Sequence, residues 1–238
     1  GYAGSFASQS LKLPVESAPQ MADYQVLARK WRPAQFEELV GQPLVIRALM
    51  NAIQAERLHH AYLFTGSRGI GKTSIARILA KALRCPNVTR VNDWIRSCGV
   101  CSDCREISAG QSVDVLEIDG ASHNGVDAVR EIREGAAFLP SSGTRKIYVI
   151  DEVHMLTTAA FNALLKTLEE PPPHVLFIFA TTEAHKIPAT ILSRCQQFEF
   201  KKVGMTEIVA RLKHILAAEG IPAEEAAVNA VAKAAEGS

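Results

Sequence analysis

The chain has 238 residues, 47% hydrophobic and 21% charged, with a formal net charge of +1. At about 150 residues per domain that is one full domain and a smaller one. The apolar fraction excludes wholesale disorder, the balanced charge excludes a global field toward nucleic acid or an anionic membrane, and no apolar run reaches the ~18 residues of a spanning helix.

Residues 1–20 hold six Ser or Pro and two charges, Lys12 and Glu16, without the basic start and apolar run of a signal peptide. They are read as an expression leader, or else a native flexible extension; Met21 opens a segment of different character. Ala28-Arg29-Lys30-Trp31-Arg32-Pro33 is a basic cluster with one aromatic, open to phosphate contact or to a packed tryptophan. Leu44 to Glu56 repeats apolar residues at helical spacing. His59-His60 lacks a third metal ligand and reads as a packed or solvent-facing pair. Ala61 to Phe64 is a short apolar run before a Gly-rich turn, the mark of a buried parallel strand. A helix follows over Gly71 to Arg84, then a strand over Val113 to Ile118, a turn over Asp119 to Gly125, a helix over Val126 to Leu139 and a strand over Lys146 to Asp151. The helix Thr157 to Glu170 is stopped by Pro171-Pro172-Pro173. Strands at Val175 to Ala180 and Gln196 to Phe200 complete the alternation, which predicts βαβ units and a mainly parallel sheet covered on both faces. From Met205 only helix is expected, Thr206 to Glu219 and Glu224 to Ala235. The boundaries are set at 21–203 for the α/β domain and 204–238 for a helical one.

Gly66-Ser67-Arg68-Gly69-Ile70-Gly71-Lys72-Thr73, with Ser74 after it, matches G-x-x-x-x-G-K-[ST] between a strand and a helix, so its amides should cradle the phosphates of a nucleoside triphosphate. Lys72 would reach the β/γ-phosphates and Thr73 would ligate Mg²⁺. Asp151-Glu152-Val153-His154 ends an apolar strand; Asp151 would hold the magnesium and Glu152 would polarise the attacking water. His154 reads as a structural hydrogen-bonding residue. Cys85, Cys98, Cys101 and Cys104 are spaced so that four thiolates can converge on one structural zinc, with an iron–sulfur cluster and disulfides as competing readings. Cys195 stands apart as a partly buried thiol. Ala180-Thr181-Thr182-Glu183 puts a threonine hydroxyl at a strand end, and Ser193-Arg194-Cys195 follows; arginine suits a transferring phosphoryl group.

In these residues the chain resembles the γ/τ subunit family of bacterial DNA polymerase III, clamp-loader ATPases of the AAA+ class. The resemblance runs from about Tyr24 to Ser238. It includes Tyr24 to Pro33, the cradle, the four cysteines, Asp151-Glu152-Val153-His154-Met155-Leu156, Phe161 to Pro172, and Ile191-Leu192-Ser193-Arg194-Cys195. It implies an α/β AAA+ P-loop fold with a mainly parallel five-stranded sheet, a zinc module inserted at 85–104 and the start of a small helical lid. It further implies that Thr182 senses the γ-phosphate, that Arg194 is a finger reaching into the neighbouring subunit's site, and that Arg32 and Val40-Gly41-Gln42 close around adenine. The implied function is a DNA polymerase III holoenzyme ATPase that couples ATP to loading of the sliding clamp on primed DNA. Its partners would be the delta, delta prime and further gamma/tau subunits, the clamp and primer–template DNA in the cytoplasm, with no membrane. A helicase of the D-E-x-H kind and a non-hydrolysing scaffold are the alternatives.

The family's sensor-2 arginine and collar domain lie past Glu236-Gly237-Ser238. The isolated chain is therefore expected to be a monomer that binds ADP or ATP and hydrolyses ATP poorly. Sedimentation with a steady-state ATPase assay checks this; robust DNA-stimulated turnover would contradict it.

Overall fold

The computed structural model describes residues 26–238. The reading of residues 1–20, and the resemblance at Tyr24 and Gln25, lie outside the described residues. The chain divides into two units, Gly1–Arg32 and Pro33–Ser238. In the first, Leu27–Lys30 forms one helical turn, α1.

The second unit begins with a 3₁₀ turn at Phe36–Glu38 and continues through α2 (Pro43–Gln54), β1 (Ala61–Thr65), α3 (Lys72–Arg84), β2 (Thr89–Val91), β3 (Trp94–Arg96), α4 (Ser102–Ala109) and β4 (Val115–Asp119). There follow α5 (Val126–Ala136), β5 (Lys146–Asp151), α6 (Thr158–Glu169), β6 (Val175–Thr181), α7 (Ala189–Leu192), β7 (Gln196–Glu199), α8 (Met205–Glu219) and α9 (Glu225–Ala234). Five strands form one sheet in the order β4-β5-β6-β1-β7, every neighbouring pair parallel. This is an α/β fold whose last two helices form a lid.

Side chains alternate across the sheet. Tyr62, Phe64, Ile147, Val149, Leu176 and Ile178 join one apolar cluster with Leu49 of α2 and Ile75 and Leu79 of α3. Leu63, Tyr148, Ile150, Phe177 and Phe179 join the other, with Val129 of α5 and Phe161 and Leu164 of α6. Successive residues of a strand point to opposite faces, so the central strands of a sheet covered on both sides are apolar at nearly every position. In the three central strands, β5, β6 and β1, the charged and threonine side chains are confined to the strand ends.

Beyond the one-turn α1, four elements escape the sequence pattern: β2 and β3 within the cysteine segment, α4, which begins inside it, and α7. α5 ends at Ala136, short of the expected Leu139, because the residue before Pro140 is biased away from helix. Phe138 and Leu139 are left exposed. The lid returns to the sheet: Val203 N donates to Gly237 O at 3.0 Å, and Ser238 lies against Gly69. No helix among the described residues is long and apolar enough to cross a membrane.

A buried charge cluster fastens the inserted segment. Arg84, at the end of α3, donates to Asp103 of α4 at 2.8 Å and to Asp114 at 3.0 Å. Asp114 also accepts from Ser141 N and Oγ and from Ser142 N. Burial by itself would raise the Asp114 pKa, but the serine hydrogen bonds and Arg84 hold it below the usual carboxylate range. A depressed folded pKa stabilises the fold above the unfolded carboxylate value near ~4, and that contribution is lost as pH falls through the lower folded value. Asp114→Asn should therefore cost about 3 kcal/mol at neutral pH by leaving Arg84 underpaired. It should also flatten the fall of urea midpoint with acidification below pH ~4; unchanged urea curves at both pH values would refute the pairing.

Candidate functional site

The loop between β1 and α3 crosses from a buried strand to a helix N-terminus. A Cβ on Gly66 (φ +140°) would come within 2.6 Å of Phe200 O and 2.4 Å of the Ile70 side chain, so only glycine fits. Gly71, at φ +100°, takes the N-cap position of α3, and no side chain caps that helix. The first-turn amides of α3 are therefore left for an anion, aligned with the positive end of the helix dipole. Ser67, Arg68 and Gly69 are exposed, while Ile70 is buried beneath them; Ser74 lies in the first turn of α3. Gly66 N donates to Thr181 O at 3.2 Å, tying the loop to the end of β6.

Lys72 is 5% exposed, and its ammonium donates to Gly66 O at 2.7 Å and Ser67 O at 2.8 Å. Burial lowers its pKa, opposed by the charges of Glu152 and Asp151. Phosphate oxygens would offer this ammonium stronger, charge-assisted bonds than two neutral carbonyls.

Because β1, β6 and β5 are neighbours, their carboxyl ends meet at one edge. Thr73 Oγ1 donates to Asp151 Oδ2 at 2.7 Å, joining α3 to β5. Asp151 Oδ1 accepts from Glu152 N at 2.9 Å. Glu152 sits at φ +45°, a left-handed conformation costing about 1–2 kcal/mol in a non-glycine residue. Its Oε2 accepts from Thr182 Oγ1 at 3.1 Å and Thr182 N at 3.3 Å, with His154 Nδ1 at 3.3 Å. His154 Nδ1 also lies 3.0 Å from Thr181 Oγ1, and its Nε2 lies 3.7 Å from Glu183. Thr181 is wholly buried and Thr182 faces Glu152, a distinction that two adjacent threonines in a sequence do not reveal.

Arg194 is not brought to this edge. Its guanidinium donates to Thr190 O at 2.6 Å and to Glu169, the last residue of α6, at 2.7 Å. In the sequence Glu169 is marked only by its place before the prolines; a carboxylate at a helix terminus carries no signal of its distant partner. Gln42 is 4% exposed and pairs both ways with Lys201, donating to its carbonyl at 2.6 Å and accepting from its amide at 3.1 Å.

The Sγ atoms of Cys85, Cys98, Cys101 and Cys104 all lie within 4.8 Å of one another. A tetrahedral ion with Zn–S of about 2.3 Å needs sulfurs about 3.8 Å apart. An iron–sulfur core would interpose several atoms between them, and all five cysteines are free rather than paired. Backbone amides support three of the thiols: Cys98 N donates to Cys85, Cys101 N to Cys98 and Cys104 N to Cys101, at 3.3 to 3.4 Å. Amides of Val100 and Cys101 pull the Cys98 pKa down to about 6, whereas burial pushes Cys104 up to about 12. A divalent cation would offset the cost of a buried thiolate at Cys104, so the donor set fits zinc. Cys195 lies outside the cluster, and burial pushes it up to about 12.

Residues 41–204 match the protein family described as "DNA polymerase III, delta subunit", and residues 207–238 match "DNA polymerase III clamp loader subunit, ATPase lid domain". The DNA polymerase III subunit tau of Escherichia coli K12 is 53% identical over 215 residues, 90% of this chain and 33% of that protein. The Bacillus subtilis subunit tau is 51% identical over 214 residues, 90% of this chain and 37% of that protein. The subunit gamma of Buchnera aphidicola subsp. Acyrthosiphon pisum is 47% identical over 216 residues, 91% and 59%. The chain thus spans about a third of the length of the tau relatives. Among solved structures, the Thermotoga maritima RuvB Holliday junction branch migration motor superposes with a TM-score of 0.61 at 21% identity, covering 85% of this chain and 59% of that one. That likeness concerns the fold alone.

One zinc per chain is the expected result of metal analysis on purified protein. Cys104→Ser should lose the metal and about 2 kcal/mol or more of stability, since metal binding is folding free energy. Cys195→Ser should keep the full metal content; equal loss in both variants would overturn the assignment.

Proposed function

The chain belongs to the DNA polymerase III clamp-loader subunit family, and we propose that it is the ATP-binding, ATP-hydrolysing motor module of a bacterial replicative clamp loader. The observation that carries this reading is the 2.7 Å bond from Thr73 to Asp151. Two oxygen donors from separate motifs, one on the cradle helix and one at a strand end, lie side by side where a phosphate-bound cation would need both.

In this reading residues 66–74 hold the triphosphate through backbone amides and Lys72. Thr73 and Asp151 hold Mg²⁺, which supplies neutralisation of phosphate charge when bound. Glu152 orients the attacking water by accepting its proton in a hydrogen bond. Thr182 and His154 engage Glu152 through Oε2, so Thr182 would link this base to the γ-phosphate. Arg194, engaged at the surface with Glu169, is suited to leave that partner for the phosphates of an adjacent subunit. The cysteines hold a structural zinc with no open position. Residues 21–203, with the zinc module at 85–104, form the nucleotide-binding domain and 204–238 the lid. The partners are other loader subunits (delta, delta prime and further gamma/tau copies), the sliding clamp and primer–template DNA, and the setting is the cytoplasm. ATP binding would hold the loader in the state that opens the clamp and grips DNA; hydrolysis would release it.

Lys72→Ala in a reconstituted loader should abolish clamp loading, and unchanged loading eliminates the motor reading. Glu152→Gln should leave nucleotide affinity within about threefold while lowering turnover about 100-fold or more. Arg194→Ala should leave the chain's own nucleotide affinity intact and cut turnover of the assembled loader about 1,000-fold. Fluorescent-nucleotide titration and steady-state kinetics separate these outcomes.

A further inference from the structure

The cysteine module begins at the far end of the cradle helix, and besides that helix a short strap, residues 34–42, touches both the module and the rim of the cradle. On the module side, Gln35 pairs both ways with Ser97: its Nε2 donates to Ser97 O at 2.9 Å, and its Oε1 accepts from Ser97 N at 3.2 Å. Ser97 immediately precedes Cys98. Arg96 grips the Glu37 carboxylate with two nitrogens, at 2.8 and 2.7 Å. Lys81, itself 4% exposed, donates to Ala34 O at 2.8 Å. Phe36 is fully buried in the same apolar cluster as Ile95 and Ile107 of the module.

On the site side, the strap touches the cradle and the strand beside it. A Cβ built at Gly71 would lie 3.9 Å from Leu39 Cδ2, and Gly41 packs on Val203. Gln42 is pinned to Lys201, which follows Phe200, the residue whose carbonyl abuts Gly66. The strap is thus bolted at one end to the residues before Cys98 and at the other to the rim of the cradle.

Besides the strap, the module is held by the buried Arg84–Asp103–Asp114 cluster and by its cysteines. β2 and β3 are three residues each, and a two-stranded ribbon of that size is not stable alone. Cys98 N donates to Cys85, the residue that ends α3, so an ion shared by the four sulfurs would lock β3 to the far end of the cradle helix.

We propose that the metal-held module positions residues 34–42 against the nucleotide site, with Gln35 as the positioning residue, so that metal occupancy sets nucleotide affinity. The proposal rests on the reading of residues 66–74 as a nucleotide cradle. It takes from the family resemblance that the end of the strap, Val40-Gly41-Gln42, closes around the nucleoside, while the loop amides and Lys72 meet the phosphates.

The test is a thermodynamic cycle on the purified chain. Fluorescent ADP and tripolyphosphate are titrated into wild type and Gln35→Ala, each with zinc bound and after zinc is removed by a thiol reagent and chelator. In wild type, zinc removal should weaken ADP about tenfold, as should Gln35→Ala, which retains all four thiols and its zinc; losing two hydrogen bonds supports that size. Removing zinc from Gln35→Ala should then add less than about twofold, tripolyphosphate should shift less than about twofold throughout, and amide exchange should quicken in residues 36–42. ADP affinity in wild type that ignores zinc, additive effects of the two changes, or an equal loss for tripolyphosphate would each overturn the proposal while leaving the cradle reading intact. Absence of any ADP binding to zinc-loaded wild type would sink both.

Discussion

A parallel sheet buried on both faces leaves its polar chemistry one outlet, the carboxyl ends of its strands. In this chain β1, β6 and β5 are adjacent, so the loop after β1, the threonines ending β6 and the acidic pair ending β5 open onto the same edge. The strand order therefore does more than package the core. It sets the distance between a phosphate cradle and a pair of carboxylates that are far apart in sequence. The Thr73–Asp151 bond measures that distance directly, and any shift of strand register by one residue would turn Asp151 to the other face.

Within that edge, strain and hydrogen bonding sit on one residue. Glu152 is held at a positive φ, and its carboxylate is engaged by Thr182 and His154. A non-glycine residue keeps such a conformation only where neighbours over-determine it. The close approach of Gly120, where a Cβ would meet the Glu152 and Asp151 carbonyls at 2.8 and 2.9 Å, is one such neighbour. The next shell reaches outward through Thr181, His154 and Glu183, so the geometry of the proposed base is tied to the segment that leads to Arg194.

The cysteine segment solves a different problem. It interrupts the βαβ alternation with two very short strands and a helix of eight residues, too little to bury a core of its own. Four thiols, the Arg84–Asp103–Asp114 cluster and the Gln35–Ser97 pair replace that core. Each ties the insertion to a different part of the sheet domain: the end of α3, the start of β4 and the strap before α2. Cross-links of this sort specify position more than they add hydrophobic stability.

The amino-acid sequence by itself determined the five core strands, the helices between them and the helical pair at the end, because unbroken apolar runs and 3.6-residue periods are local consequences of burial. It also marked the glycine loop, the carboxylate pair and the four cysteines, whose chemistry is written in spacing. It was silent on β2, β3 and α4, since elements held by thiols and ion pairs need no apolar period, and its helix over Val126 to Leu139 outruns α5, which ends at Ala136 ahead of Pro140. Tertiary structure alone decided that Thr182 rather than Thr181 faces Glu152, that Arg194 spends its charge on Glu169, and that Gln35 and Gln42 clasp backbone 62 and 159 residues away. Those choices depend on strand register and the pitch of packed helices, which join side chains that no local pattern relates.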